Sequence, residues 1–218
     1  MSSGRIVRFE EITRCPLEVQ DSLLSILSDR VMAVPELGGE DGMVFAREGF
    51  NIIATANTRD RGVNDMSAAL KRRFNFETVF PIRDADEELQ LVKREAGKLL
   101  ARSGVPRAPD DDVLAVLVTC FRELREGVTH EGAGMERLSS VMSTAEAVSV
   151  AHAVGVRGHF LRGDAGRPED IVECLAGTAA KDNAEDLVKL RRYLEQKASK
   201  RSGEAWKAFY GARHLLTP

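Results

Sequence analysis

The chain has 218 residues, 43% hydrophobic and 30% charged, which is the balance of a folded globular protein and not of a disordered tract. Lys plus Arg number 31 and Asp plus Glu 34, a net charge of −3, so nothing points to bulk nucleic-acid binding or to adhesion to an acidic membrane. Cys15, Cys120 and Cys174 form neither a disulfide framework nor a zinc signature, and no apolar run nears the roughly 18 residues of a membrane span, which makes a cytoplasmic protein the expectation.

In chain order, Arg5-Ile6-Val7-Arg8-Phe9 is β-branched and aromatic and predicts a strand that delivers Glu10 and Glu11 at its carboxyl end. Pro16 stands where a first helical turn tolerates it, and Val19, Leu23, Ile26 and Leu27 follow at helical spacing. Residues 31–49 change character: two short apolar runs flank Gly38-Gly39-Glu40-Asp41-Gly42, the pattern of an inserted β-hairpin with a glycine-rich tip. Asn51-Ile52-Ile53-Ala54-Thr55-Ala56 reads as a strand buried on both faces of a parallel sheet and ends at Asn57. A short helix over residues 67–72 and a third strand over residues 74–80, closed by Pro81, complete an α/β alternation.

From Asp84 onward the period is helical. Leu89, Val92, Ala96, Leu99 and Leu100 make one apolar face, Val113 or Leu114 with Leu117, Phe121 and Leu124 a second, and Leu138, Val141, Met142, Ala145 and Val148 a third. Pro168-Glu169-Asp170 opens a further short helix, with proline and acids where the helix dipole favours them. Residues 181–218 hold nine Lys or Arg against five acids and predict a basic helical tail. The expected organisation is a partial α/β core over residues 1–82, an all-α part over 83–180 and the tail over 181–218.

Ligands of open α/β sheets bind beyond the carboxyl ends of the strands, where this sequence places Glu10, Glu11 and Asn57. Paired carboxylates at such a spot suit a divalent cation held by one acid and a water oriented by the other. Asn57 could fix that water or a phosphate oxygen, and Arg72 and Arg73 could bring the positive charge that phosphoryl transfer uses. Each feature also has a plain reading: adjacent glutamates after a strand commonly make a solvated turn, Asn is a turn former, and Lys71-Arg72-Arg73 answers a helix dipole. Order and spacing favour the functional alternative. His130, His152, His159 and His214 are scattered and lack ligand spacing.

Phe9-Glu10-Glu11-Ile12, Leu17-Glu18-Val19-Gln20-Asp21-Ser22-Leu23-Leu24, Ile53-Ala54-Thr55-Ala56-Asn57-Thr58 and Ala69-Leu70-Lys71-Arg72-Arg73-Phe74 together resemble the AAA+ ATPases, in particular their MoxR-like and dynein-related group. The resemblance covers roughly residues 4–178. It implies a P-loop NTPase core with ATP and Mg²⁺ as cofactors, Glu11 as the catalytic glutamate ending the Walker B strand, Glu10 as the metal-side acid and Asn57 as the sensor 1 residue. Arg73, with Arg72 as its rival, resembles the arginine finger that reaches the nucleotide of a neighbouring subunit. Gly134-Met135-Glu136-Arg137-Leu138 resembles the opening of the lid helix, which implies that Arg137 is the sensor 2 residue and touches the terminal phosphate. A ring of AAA+ subunits, a hexamer, acting on a client protein is implied as well.

The sequence departs from that pattern in two ways. Glu10 stands where the family has Asp, and no G-x-x-x-x-G-K-[ST] phosphate loop occurs: Gly97-Lys98 is followed by Leu99, and the glycines of residues 38–42 carry no lysine. The expectation is therefore three remaining parallel strands of a partial core plus a hairpin insertion, followed by the all-α lid and helical tail. The chain then reads as a truncated product, a mis-assigned start or half of a split ATPase. The alternative is a non-hydrolysing adaptor that supplies an arginine finger in trans to a complete partner.

Overall fold

The computed structural model describes residues 1–38, 42–57, 66–140, 142–181 and 183–216, which fall into two units, Met1–Val79 and Phe80–Pro218. In the first unit β1 (Ile6–Phe9) lies parallel to β4 (Asn51–Ala54), with Ile6 opposite Asn51 and Phe9 opposite Ala54. Glycine at position 4 is required where the strands begin: its φ is +64°, and a Cβ there would sit 2.2 Å from the carbonyl oxygen of Glu48. The crossover between the strands contains α1 (Leu17–Ser28) and then the expected hairpin, β2 (Val31–Ala33) antiparallel to β3 (Met43–Phe45). The glycine-rich tip, residues 39–41, lies outside the described residues. Pro16 is the residue before α1 and not part of its first turn, and on α1 Leu23 and Ile26 are buried while Val19 is exposed. The short helix α2 (Ala68–Lys71) starts at Ser67, whose hydroxyl accepts the Leu70 N–H, and Leu70 is fully buried.

Ile12, Leu23, Ile26, Phe50, Ile52, Met66 and Leu70 form the core of this unit, with Phe9 and Ala54 packed on it. Successive strand residues point to opposite faces, and only one face is covered: Ile6 is 64% and Ile53 55% exposed. The expectation that residues 51–56 are buried on both faces is thus corrected. So is the third parallel strand. Residues 74–80 form no strand, and Phe76, Val79 and Phe80 are exposed. High β propensity describes fitness for a packed, pleated surface, and among the described residues no neighbour offers this segment a ladder of hydrogen bonds.

The second unit is helical: α3 (Ala85–Arg102), α4 (Asp111–Glu126), α5 (Thr144–Arg157), α6 (Pro168–Leu175), α7 (Ala184–Gln196) and α8 (Glu204–Gly211). The predicted apolar faces of the first two are largely inside, with Val92, Ala96, Leu100, Leu114, Leu117, Phe121 and Leu124 buried. The third face is corrected. Leu138 and Met142 are buried, but the helix starts six residues after Leu138, at Thr144, behind a capping box in which Ser143 and Glu146 satisfy each other's backbone N–H groups. The stretch before it is held instead by side chains: Asp186 accepts the Ser139 N–H and hydroxyl, and Arg125 donates to the Met142 carbonyl. Val141 lies outside the described residues. The basic tail is not a separate piece either, since Leu187, Leu190, Tyr193, Leu194, Phe209 and Leu216 share one core with α4, α5 and α6.

Buried charges brace this core. Glu88, 1% exposed, accepts two hydrogen bonds from Arg125, one from Arg122 at 2.8 Å and one from the Thr144 hydroxyl at 2.7 Å. Arg122 also donates to the carbonyls of Ile82 and Arg83 and so ties the start of the unit to α4. Glu123, equally inaccessible, accepts from the Tyr193 hydroxyl, the His130 N–H and Arg201. Each buried carboxylate thus has the cationic and hydroxyl partners that offset its desolvation.

Candidate functional site

The parallel register brings the two predicted strand ends side by side, and a threonine fastens them. The Thr55 N–H donates to the Phe9 carbonyl (2.9 Å), and the Ile12 N–H donates to the Thr55 carbonyl (2.9 Å). Between these backbone bonds the Thr55 hydroxyl accepts the Glu11 N–H at 3.0 Å and donates to Glu10 Oε2 at 2.7 Å. One hydroxyl thereby engages both acids. Thr55 was not singled out from the sequence. The available signal was a hydroxyl inside an apolar run, one residue past the point where β4 ends.

Glu11 adopts a left-handed backbone, φ 52° and ψ 49°, a conformation that costs a non-glycine residue roughly 1–2 kcal/mol. It marks the break between β1 and the 3₁₀ turn Ile12–Arg14, and the Arg14 N–H returns to the Glu11 carbonyl at 2.8 Å. The Glu11 carboxylate pairs with Arg14 at 2.5 Å. Glu10 pairs with Arg8 on its other oxygen, Oε1. Its carboxyl is held below the ordinary range, first by the Thr55 hydroxyl and then by Arg8. Both acids remain open to solvent. Asn57 is exposed three residues beyond the end of β4.

The two arginines sit elsewhere. Arg72 caps α2 just beyond Lys71, and Arg73 Nε donates to the Ser28 hydroxyl at 2.8 Å. Ser28 is the last residue of α1, a helix of 12 residues and therefore about 18 Å long. Arg30, just beyond it, reaches the carbonyl of Phe50, the residue that precedes β4. Arg73 is thus pinned near the amino end of β4, whereas the acids leave at the carboxyl end. For Arg73, then, the expectation of charge brought to the acids of its own chain is not met, because the returning helix carries its far end to the opposite end of the sheet.

Arg137 lies in the second unit and does not open a helix. It is exposed in the stretch before α5, and its Nε donates to the Glu126 carbonyl at 2.8 Å. Its side chain lies over Gly127, whose φ of +71° ends α4 in the left-handed region.

Comparison with known proteins agrees with this division. Residues 1–74 match the AAA domain of the dynein-related subfamily, and residues 86–217 match the YehL-like AAA+ ATPase C-terminal domain. The chain belongs to the YehL-like AAA+ ATPases. It is 61% identical over 216 residues to the uncharacterized protein YehL of Escherichia coli (strain K12), a match that covers 99% of this chain and 59% of YehL. The chain therefore spans somewhat more than half the length of that relative. A small parallel sheet with its helices lies in the part matched by the AAA domain, and the all-α part in that matched by the C-terminal domain.

Among the described residues no group of three or more His, Cys, Asp or Glu is arranged to hold a metal ion, and no helix is long and apolar enough to cross a membrane. The first observation leaves room for Mg²⁺, which usually keeps several waters and takes one or two carboxylates with the rest of its shell from phosphates. Glu10 fits such a role: it is anionic, solvent-facing, and bound on Oε1 by an exposed arginine that a cation could replace.

Proposed function

We propose that this chain is the Walker B-to-lid part of a MoxR-like AAA+ ATPase that hydrolyses ATP within a ring and uses the cycle to remodel a client protein. The observation that carries the reading is the pair of strand ends fastened through Thr55, which sets two solvent-facing acids beside the strand end leading to Asn57. Glu11 is the base that orients and deprotonates the attacking water, and Glu10 is the acid on the metal side. Mg²⁺ held there would neutralise charge on the phosphates of ATP. Asn57 is the sensor that holds water or a terminal phosphate oxygen, and Arg137 is the lid arginine.

Arg73 is the finger for a neighbouring subunit, with Arg72 beside it. Its anchorage on Ser28, away from the acids of its own chain, suits action in trans. The same anchorage favours the second reading, a non-hydrolysing subunit that lends Arg73 to a complete partner. A decisive experiment joins the chain to the part of YehL that it does not match, in YehL's own order, and measures Mg²⁺-dependent ATP turnover. The expected loss on Glu11→Gln is about 10²-fold or more. Turnover unchanged by that substitution removes Glu11 from the base role, and a wild-type fusion that binds but never hydrolyses ATP selects the second reading.

A further inference from the structure

We propose that Thr55 is the positioning residue of the carboxylate pair, its hydroxyl setting the backbone of Glu11 and the carboxylate of Glu10 at once. The inference rests on the reading of those two acids given above, but its geometry stands apart from it. A threonine hydroxyl has one proton and two lone pairs. Here the proton goes to Glu10 Oε2 and a lone pair takes the Glu11 N–H. Strand pairing does not need that hydroxyl, because the Thr55 N–H and carbonyl already bond to Phe9 and Ile12 through the main chain, and any residue but proline at position 55 would keep those bonds.

What the hydroxyl adds is confined to the acids. Glu11 has the left-handed backbone of a residue at a sharp break. Such a conformation persists only when its surroundings over-determine it. The Thr55 hydroxyl on its N–H, with the Arg14 N–H on its carbonyl, supplies that restraint from both sides of the residue. The hydroxyl also fixes one oxygen of Glu10 and leaves Oε1, now paired with Arg8, as the oxygen that can be exchanged for a cation. One small side chain on β4's end therefore couples the aim of both acids on β1's end. Serine carries the same donor and acceptor, whereas valine keeps the shape and loses both.

The test compares Thr55→Ser and Thr55→Val with the wild type in the full chain, by amide hydrogen exchange read in NMR spectra. In the valine variant the Glu11 amide should exchange about tenfold faster, the scale of one lost hydrogen bond, while the Ile12 amide, bonded to the backbone of residue 55, keeps its rate. Serine should restore Glu11. Equal acceleration of Glu11 and Ile12 would show a merely structural residue and overturn the proposal, as would an unchanged Glu11 amide in the valine variant. In the ATP-hydrolysing fusion, Thr55→Val should lower kcat about tenfold or more with the KM for ATP within about twofold, and Thr55→Ser should recover it. A fall confined to KM overturns the positioning role. If the wild-type fusion is inactive, the ATPase reading fails while the amide rates still decide for or against Thr55.

Discussion

Thirty described residues share one hydrophobic core in the helical unit, and seven do so in the α/β unit, although the latter holds more than a third of the chain. The difference follows from what each kind of element needs. Helices hide their apolar faces against one another, so α3 to α8 close on themselves. A parallel sheet needs cover on both faces and a partner at each edge, and β1 and β4 have one covered face among the described residues, leaving Ile6 and Ile53 in water. Apart from Arg137, the predicted chemistry sits on this thin unit, on residues whose partners are a few hydrogen bonds and exposed ion pairs. Its aim is therefore set by local restraints such as Thr55 more than by packing, and local opening should start there.

The largest expected effect tests the dense side of the comparison. Phe121→Ala, at a fully buried position of α4, should cost about 3–5 kcal/mol, seen as an earlier unfolding transition in the fluorescence of Trp206, the single tryptophan. Leu70→Ala, also fully buried but in the smaller core, should cost about 2–3 kcal/mol and leave the Trp206 transition in place while circular dichroism shows the α/β unit melting first. One shared transition for both variants would break the comparison.

Acid sharpens it. Glu88, Asp170 and Asp186 are inaccessible carboxyls in the helical unit. Burial pushes each of them up, and their partners overcome it: Arg125, Thr144 and Arg122 for Glu88, Arg162 and the Arg167 N–H for Asp170, Ser139 and Lys189 for Asp186. All three end below the ordinary carboxylate value. Because the folded value is the lower one, their stabilisation is complete above the unfolded pKa and disappears as pH falls through the folded value. The Trp206 transition should therefore move to lower temperature as pH drops below about 4, and Glu88→Gln should flatten part of that dependence. Smallest is Ser143→Ala, which removes the cap of α5 and should cost about 1 kcal/mol in a urea titration.

Much of this architecture was legible in the chain, and the failures share a cause. Periodicity located the faces of α3 and α4 because those faces meet their neighbours within the same unit. It misplaced the start of α5, since Leu138 and Met142 continue a helical spacing although the Ser139 N–H goes to Asp186 and the Met142 carbonyl accepts from Arg125; the capping pair Ser143 and Glu146 was the better guide. It also made residues 74–80 a strand, because apolar alternation records a preference that only a neighbouring ladder can realise. The charge count of residues 181–218 marked a basic helical tail, yet its Leu190, Tyr193 and Phe209 fill the core, and its Arg201 and Lys189 pair with the buried acids Glu123 and Asp186. At the candidate site, the placement of Glu10 and Glu11 just past the end of β1 was legible from the apolar run before them, whereas the bonds of the Thr55 hydroxyl were not.

The amino-acid sequence by itself determined which residues carry charge, which segments could be helix or strand, and that two acids and an amide each follow an apolar, strand-forming run. Those properties depend on side-chain chemistry and on short-range spacing. Only the tertiary structure decided that Thr55 joins the acids, that Arg73 rests on Ser28 at the other end of β4, and that residues 74–80 stay outside the sheet. Each of these depends on which distant segment arrives as a hydrogen-bond partner, and no local pattern encodes that meeting.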